Sequence, residues 1–316
     1  MTHSSRYPSA KVAIVGAGFV GSTAAYALMM GGTASEIALI DIKKEKAEGE
    51  ALDLVHCMQF TTSVNITAGD DFALLKDAAV VVIAAGIAQK PGQPRSDLLK
   101  TNINIFKQIV PQVVRYNKDC IILVVTNPLD VLTYATWKLS GFPSRRVFGT
   151  GTVLDTARLR YLMGNHFQIS PKDITAYVLG EHGDSEFVWW SKANVSGVPI
   201  QHLSAYDQKV MDRIYQEARM AVYNIISKKG ATYYAIALVI AKIVRAILLD
   251  QSRIFTVSSF IGDEIYGIKD VCLSLPVVVR KSGSCERLPV ELDGQEQRLF
   301  VQSAEKIKKE IVMADL

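Results

Sequence analysis

His182 stands between glycines in Gly180-Glu181-His182-Gly183-Asp184, just after Ile174 to Leu179, an apolar run that reads as a strand. That placement lets an imidazole project into a cleft. An isolated histidine is more often a satisfied core or surface residue, so its chemistry depends on its company. Asp155 and Arg158 stand three apart, on one face of a helix. A carboxylate bonded to one ring nitrogen fixes the tautomer, stabilises the protonated ring and leaves the other nitrogen for a substrate. Arg158 is either a surface charge or a fork for a carboxylate. Arg95 ends the loop Gln89-Lys90-Pro91-Gly92-Gln93-Pro94-Arg95. It is either solvated or brings positive charge to a developing oxyanion when the loop closes. Sequence alone does not place Asp155 beside His182.

A second constellation lies near the start. Val12 to Val15 is an apolar, β-branched run that reads as a buried parallel strand, and Gly16-Ala17-Gly18-Phe19-Val20-Gly21 follows at once. Small apolar residues then run to Met30 and stop at Gly31-Gly32, which fits a helix. A second strand, Ile37 to Ile40, ends in Asp41, twenty residues past Gly21. Gly16 permits the tight turn, Gly18 lets backbone approach a pyrophosphate, and Gly21 allows close helix–strand packing. Asp41 can accept hydrogen bonds from ribose hydroxyls and would repel an extra phosphate, so the expected cofactor is NAD rather than NADP. Strand, glycines, helix, strand and acid in register make this a specific signal. The uncharged stretch from 12 to 35 is also long enough for a membrane span, but glycines dilute it and the next strand follows immediately.

Positioning these residues requires a particular scaffold. Further strands are expected at Val64 to Ala68, Ala79 to Ala84, Ile121 to Val125 and Val147-Phe148, with helices at Lys43 to Met58, Ser96 to Asn117 and from Pro128 to about Leu139. This β-α alternation is that of an α/β, Rossmann-type, doubly wound parallel sheet, whose ligands sit at the strands' carboxyl ends. Gln89, Arg95 and Asn127 lie just beyond such ends. From about Gly149 the pattern becomes mixed α+β. Long helices are expected at 208 to 229 and 231 to 249, strands at Ile254 to Phe260 and Val271 to Val279, and an amphipathic C-terminal helix carries Phe300, Ala304, Ile307 and Ile311. Pro276 marks an edge or a bulge. The division expected is 9–149 for the dinucleotide-binding domain and 150–316 for the catalytic domain.

The ordered set GAGFVG, QKPGQPR, VTNPLD, LDTAR, GEHGD and KGATYY resembles the L-lactate dehydrogenases of bacteria, across essentially the whole chain. LDTAR with GEHGD is specific to the lactate and malate dehydrogenase superfamily. The resemblance implies that His182 donates and accepts the proton with Asp155 as its partner, Arg158 clamps the substrate carboxylate and Arg95 polarises the ketone. It places Asn127 near the nicotinamide and the reacting oxygen, and Thr232 in the substrate pocket. It puts Val20 and Asp41 on the adenosine half of NAD and Val125 and Thr126 on the nicotinamide half, with Gly16, Gly18, Gly21, Gly86 and Asn127 also among the cofactor contacts. Gln89 faces the substrate's methyl end, where malate dehydrogenases carry an arginine. The reaction implied is pyruvate with NADH to L-lactate with NAD, in a homotetramer, without a metal. Alternatives are a malate dehydrogenase, a dehydrogenase for bulkier 2-hydroxy acids and a silent NAD-sensing protein.

Composition agrees with a globular enzyme. The chain has 316 residues, 49% hydrophobic, with a net charge of +4 too small and dispersed for nucleic acid. Cys57, Cys120, Cys272 and Cys285 have no C-x-x-C spacing and read as reduced, cytosolic thiols. One departure concerns regulation. Many bacterial relatives bind fructose 1,6-bisphosphate through an arginine and a histidine. Arg160 matches the first, but Thr175 stands at the second, so little activation is expected.

Overall fold

The apolar run at the start of the chain forms β1 (Lys11–Val15), buried over its last four residues. The computed structural model describes residues 10–87 and 95–316; Gln89 lies outside them, as does the Arg95 side chain. After β1 come α1 (Phe19–Met30), β2 (Glu36–Ile40), α2 (Lys44–His56), β3 (Asn65–Gly69), β4 (Ala78–Ile83), α3 (Arg95–Tyr116), β5 (Ile121–Val124), α4 (Leu129–Ser140) and β6 (Val147–Gly149). The second half holds α5 (Val153–Phe167), β7 (Ile174–Thr175), β8 (Val178–Leu179), β9 (Phe187–Val188), β10 (Asn194–Val195), β11 (Val198–Pro199), α6 (Gln208–Lys229), α7 (Tyr234–Leu248), β12 (Arg253–Ile261), β13 (Val271–Arg280), β14 (Gly283–Arg287) and α8 (Gly294–Met313).

The main sheet has the order β14-β13-β12-β6-β5-β4-β1-β2-β3. From β3 to β6 it is parallel, in the doubly wound arrangement whose switch point lies between β1 and β4. Alternate residues of each strand go to opposite faces. Ala13, Val15, Val81 and Ile83 pack with Phe106 of α3, Leu132 of α4 and Phe300 of α8. Val12, Ile14, Val80 and Val82 pack with Ala24 and Leu28 of α1 and Ile240 and Val244 of α7. Both faces are covered, which is why these strands read as unbroken apolar runs. Full burial of each such Leu, Ile or Val contributes roughly 1.5–3 kcal/mol. The uncharged stretch from 12 to 35 is thus spent on a strand and a twelve-residue helix. Among the described residues, no helix is long and apolar enough to cross a membrane.

The second half departs from the sequence reading in three places. Ile174 to Leu179 is not one strand: β7 and β8 belong to different small sheets. The backbone at Val178 is claimed by α5, since its N–H donates to Thr156 Oγ1 (3.0 Å) and its carbonyl accepts from Thr152 Oγ1 (2.5 Å). The helix expected at 231 begins at Tyr234, because Gly230 leaves α6 with φ +83 and the chain needs the next residues to turn. Finally, β13 is paired on both sides, so Pro276 is not on an edge. Its carbonyl points away from β12 and accepts from Leu288 N–H (2.9 Å). The missing proline N–H therefore falls where β14 ends, and the register shift lies at Val278/Val279.

Candidate active site

The turn after β8 puts His182 where the main sheet can support it. Gly180 and Ser274 of β13 exchange backbone hydrogen bonds of 3.0 and 2.9 Å. Gly180 takes φ +90, and a Cβ there would lie 2.7 Å from Ser303 Oγ, the group that accepts the Glu181 N–H. Glu181 is clamped by Lys306 of α8 at 2.6 Å. The next residue, His182, donates its backbone N–H to Asp130 Oδ2 at 2.7 Å, across 52 residues of sequence.

The His182 ring meets α5. Its Nδ1 lies 2.7 Å from Asp155 Oδ2, and Arg158 Nη1 donates to Oδ1 of the same carboxylate at 2.9 Å. The three side chains are 25%, 7% and 13% exposed for His182, Asp155 and Arg158. The dyad is thus walled in, while the ring keeps one open side. Burial alone would raise the Asp155 pKa; the charge and hydrogen bond of His182, with Arg158, win and hold the carboxyl below its ordinary range. Burial pushes the His182 ring toward neutrality, but the Asp155 charge and hydrogen bond carry its pKa up to about 9, with help from Glu186 and Asp130. A ring so placed favours its protonated form at neutral pH, with Nδ1 engaged and Nε2 making no hydrogen bond among the described residues.

Two buried carboxyls here had no role in the sequence reading. Glu186 is 8% exposed, and one donor atom from each of Asp155, His182 and Glu186 fall within 4.8 Å of one another. Burial, then the Asp155 charge, lift its carboxyl well above the usual value against the pull of His182, Arg219 and Arg158. Asp130 is 1% exposed and is raised by burial to about 7, opposed by hydrogen bonds from Ser258 and the His182 N–H. The signal was present for both, since Asp130 ends VTNPLD and Glu186 follows GEHGD, but neither letter says what it faces.

At the glycine turn the three glycines differ in kind. Gly16 has φ +105, and a Cβ on it would sit 2.6 Å from the Ala85 backbone. A Cβ on Gly21 would lie 1.8 Å from Gly16 O. A Cβ on Gly18 would meet only Lys46 Nζ, at 4.0 Å, so the backbone there faces open space of the kind a pyrophosphate needs. Asp41 accepts from Ala17 N–H (2.8 Å) and Lys43 N–H (2.9 Å), which fixes the carboxylate at the end of β2. These residues fit the adenosine end of a dinucleotide.

Across the switch point, Val125 N–H bonds Ile83 O (3.0 Å) and Thr126 Oγ1 donates to Ala85 O (2.8 Å). Gly86 is held so close that a Cβ would lie 2.3 Å from the Thr126 methyl. Buried Asn102 of α3 accepts from Ile87 N–H (2.9 Å) and donates to Asn127 O (2.7 Å), so one side chain ties both loops together. Thr232 lies between α6 and α7 and makes no hydrogen bond to the His182–Asp155–Arg158 group among the described residues; its neighbour Tyr233 stacks on Phe19 at 5.2 Å, against the glycine turn. Val20 is in the first turn of α1, and Arg95 is the first residue of α3. Arg160 turns inward: Nε donates to Ala176 O (2.8 Å) and the guanidinium lies 4.6 Å over the Tyr177 ring. Thr175 is the end of β7.

Comparison with known proteins matches this geometry to a family. The model for the NAD-binding domain of lactate/malate dehydrogenases matches residues 10–149, and that for the family's α/β C-terminal domain matches residues 152–314. The chain belongs to the lactate/malate dehydrogenase family. Within the family it is 48% identical to an L-lactate dehydrogenase of Clostridium botulinum over 303 residues, 94% of this chain and 95% of that one. It is 47% identical to L-lactate dehydrogenase 1 of Clostridium acetobutylicum over 306 residues, 95% and 97% of the two chains. A solved lactate dehydrogenase from a Medee basin deep-sea metagenome library superposes with a TM-score of 0.93 at 41% identity, covering 98% of this chain and 99% of that one. The minor L-lactate dehydrogenase of Enterococcus mundtii, in a ligand-bound form, gives 0.92 at 40%, covering 96% and 98%. The glycine turn of this family member therefore lies in its NAD-binding domain, and the His182–Asp155 dyad in the C-terminal one.

Proposed function

We propose that this chain is an NAD-dependent L-lactate dehydrogenase interconverting pyruvate and L-lactate. The observation that carries the reading is the Asp155 carboxylate shared between His182 Nδ1 (2.7 Å) and Arg158 Nη1 (2.9 Å). It couples a proton donor to a carboxylate clamp, which is what a small 2-oxo acid requires at its two ends. NADH, when bound, supplies the hydride. His182 gives its Nε2 proton to the substrate oxygen, and Asp155 stabilises the charged ring beforehand. Arg158 pairs with the substrate carboxylate through the rest of its fork. Arg95 brings charge to the ketone oxygen, Asn127 and Thr232 contact the substrate, and Gln89 faces its methyl; the support for these four is their match to the family motifs.

The cofactor contacts follow the same motifs: Gly16, Gly18, Val20, Gly21 and Asp41 toward the adenosine side, Gly86, Val125, Thr126 and Asn127 toward the nicotinamide. The division at 149/150 agrees with the limits of the two family matches. A homotetramer is the assembly the resemblance implies, and exposed Phe19, Met30 and Leu238 on the adjoining helices α1 and α7 leave apolar surface for a subunit contact. A cytosolic site agrees with four free cysteines. The inward bonds of Arg160 favour a structural role for it over activator binding. Following NADH absorbance with pyruvate, oxaloacetate and 2-oxoisocaproate tests the reading. Pyruvate should be preferred; a preference for either of the others, or no turnover, would replace it.

A further inference from the structure

We propose that Asp130 is a positioning residue for the proton transfer, anchoring the backbone of His182 and setting a buried carboxylate beside that residue. The proposal rests on His182 as proton donor. Asp130 lies in the first turn of α4, three residues after Asn127. Its Oδ2 takes the His182 N–H at 2.7 Å, and its Oδ1 takes the Ser258 hydroxyl of β12 at 2.6 Å. Ser258 is fully buried and pairs with Gly149 of β6. One carboxylate thus joins the helix that follows Asn127, the turn that carries His182, and the sheet between them.

The choice of a carboxylate needs explaining. Asp130 has no cation in salt-bridge distance among the described residues, and a buried charge without a partner is costly. An asparagine would accept the His182 N–H and donate to Ser258 without burying a charge. What the carboxylate adds is a field on the imidazolium. Among the described residues, the acids whose charge acts on the ring are Asp155, Glu186 and Asp130; the groups that act on Asp130 from other elements are Ser258, His182, Glu181 and Cys272. Asp155 already neutralises one side of the ring and is shared with Arg158. Asp130 supplies a further carboxylate on the backbone side, paired with no arginine among the described residues. Protonation of Asp130 would remove the charge and keep the anchor, since the neutral acid can accept the His182 N–H and donate to Ser258 as an asparagine would.

The test uses the full-length enzyme with NADH and pyruvate. Asp130→Asn keeps the shape and both hydrogen bonds but removes the charge. It should shift the alkaline limb of the kcat/KM profile for pyruvate down by about one pH unit, the lower end of shifts caused by a close charge. NADH affinity, read by fluorescence, should stay within about twofold. Asp130→Ala removes the anchor as well and should lower kcat by a further factor of about 10 to 100, rescued by the asparagine variant. An unmoved alkaline limb in Asp130→Asn overturns the electrostatic role, and wild-type kcat in Asp130→Ala overturns the anchoring. Ser258→Ala tests the same idea with the carboxylate in place. With one donor lost, Asp130 holds its charge less firmly, so the alkaline limb should move down as in Asp130→Asn, by less; an unmoved limb overturns the proposal. Wild-type protein that reduces no pyruvate would overturn the functional reading and this one together. An active wild type with an alkaline limb that ignores all three substitutions overturns this one alone.

Discussion

His182 Nδ1 and Asp155 Oδ2 are 2.7 Å apart although 27 residues separate them. The bond joins the turn after β8 to the first turn of α5, and it engages Nδ1, leaving Nε2 as the ring nitrogen for proton exchange in the proposed reaction. Removing the ring should remove the proton donor and little else. His182→Asn should bind NADH normally while turnover falls by about 100- to 10,000-fold. Stopped-flow binding beside steady-state rates checks this, and a variant with near-normal turnover would refute the role.

The same bond sets a pH dependence. Pyruvate reduction needs the protonated ring, so it should decline as pH rises through about 9, while lactate oxidation should increase over that interval. The dyad's stability contribution from His182 has the same sign. Its folded pKa lies above the ordinary 6.5, so that contribution is complete below 6.5 and is lost as pH rises through about 9. Asp155→Asn should move the kinetic limb to lower pH by at least about one unit. Paired pH profiles in the two directions decide it.

Cofactor choice should follow Asp41. Asp41→Ala removes a ribose acceptor and the charge that opposes a 2′-phosphate, so NADH should weaken and discrimination against NADPH should relax. It also strips the acceptor from the Ala17 and Lys43 N–H groups, which should cost about 1 kcal/mol or more of stability. Dissociation constants for both cofactors, with a melting curve, test both parts. Wild type that uses the two equally would contradict the reading.

Gln89→Arg should move preference from pyruvate toward oxaloacetate by about 100-fold or more in the ratio of kcat/KM values. The new guanidinium pairs with a second carboxylate and stays unpaired when pyruvate binds, so attraction and rejection act together. An unchanged ratio would mean that Gln89 does not face the substrate.

Fructose 1,6-bisphosphate should activate weakly. Thr175 brings no charge, and Arg160 is already bonded to Ala176 O and packed on Tyr177. An activator shifts the enzyme only by its preference for the active state. At near-neutral pH, millimolar activator should change half-saturating pyruvate by less than about twofold. A large drop would show that other basic residues build the site.

Some of this protein was legible in the chain itself. Val12–Val15, Gly16, Gly18, Gly21 and Asp41 form one local unit, and a turn, a helix start and a strand end are set by neighbours a few residues away. The β-α alternation to Gly149 and the motif set around His182 were legible for the same reason. Contacts across long separations were not, because periodicity says which side of an element is apolar and not what will cover it. Asp130 meets His182 across 52 residues and Ser258 across 128. Neither partner can be read from VTNPLD. The break of Ile174–Leu179 was decided by Thr152 and Thr156 on α5, which take the backbone bonds a longer strand would have used. Pro276 is tolerated inside the sheet because β14 stops beside it, a fact about a different strand. The sequence determined the chemical groups and most of the elements. Packing decided which buried carboxylate faces His182, and through desolvation and charge how that ring holds its proton.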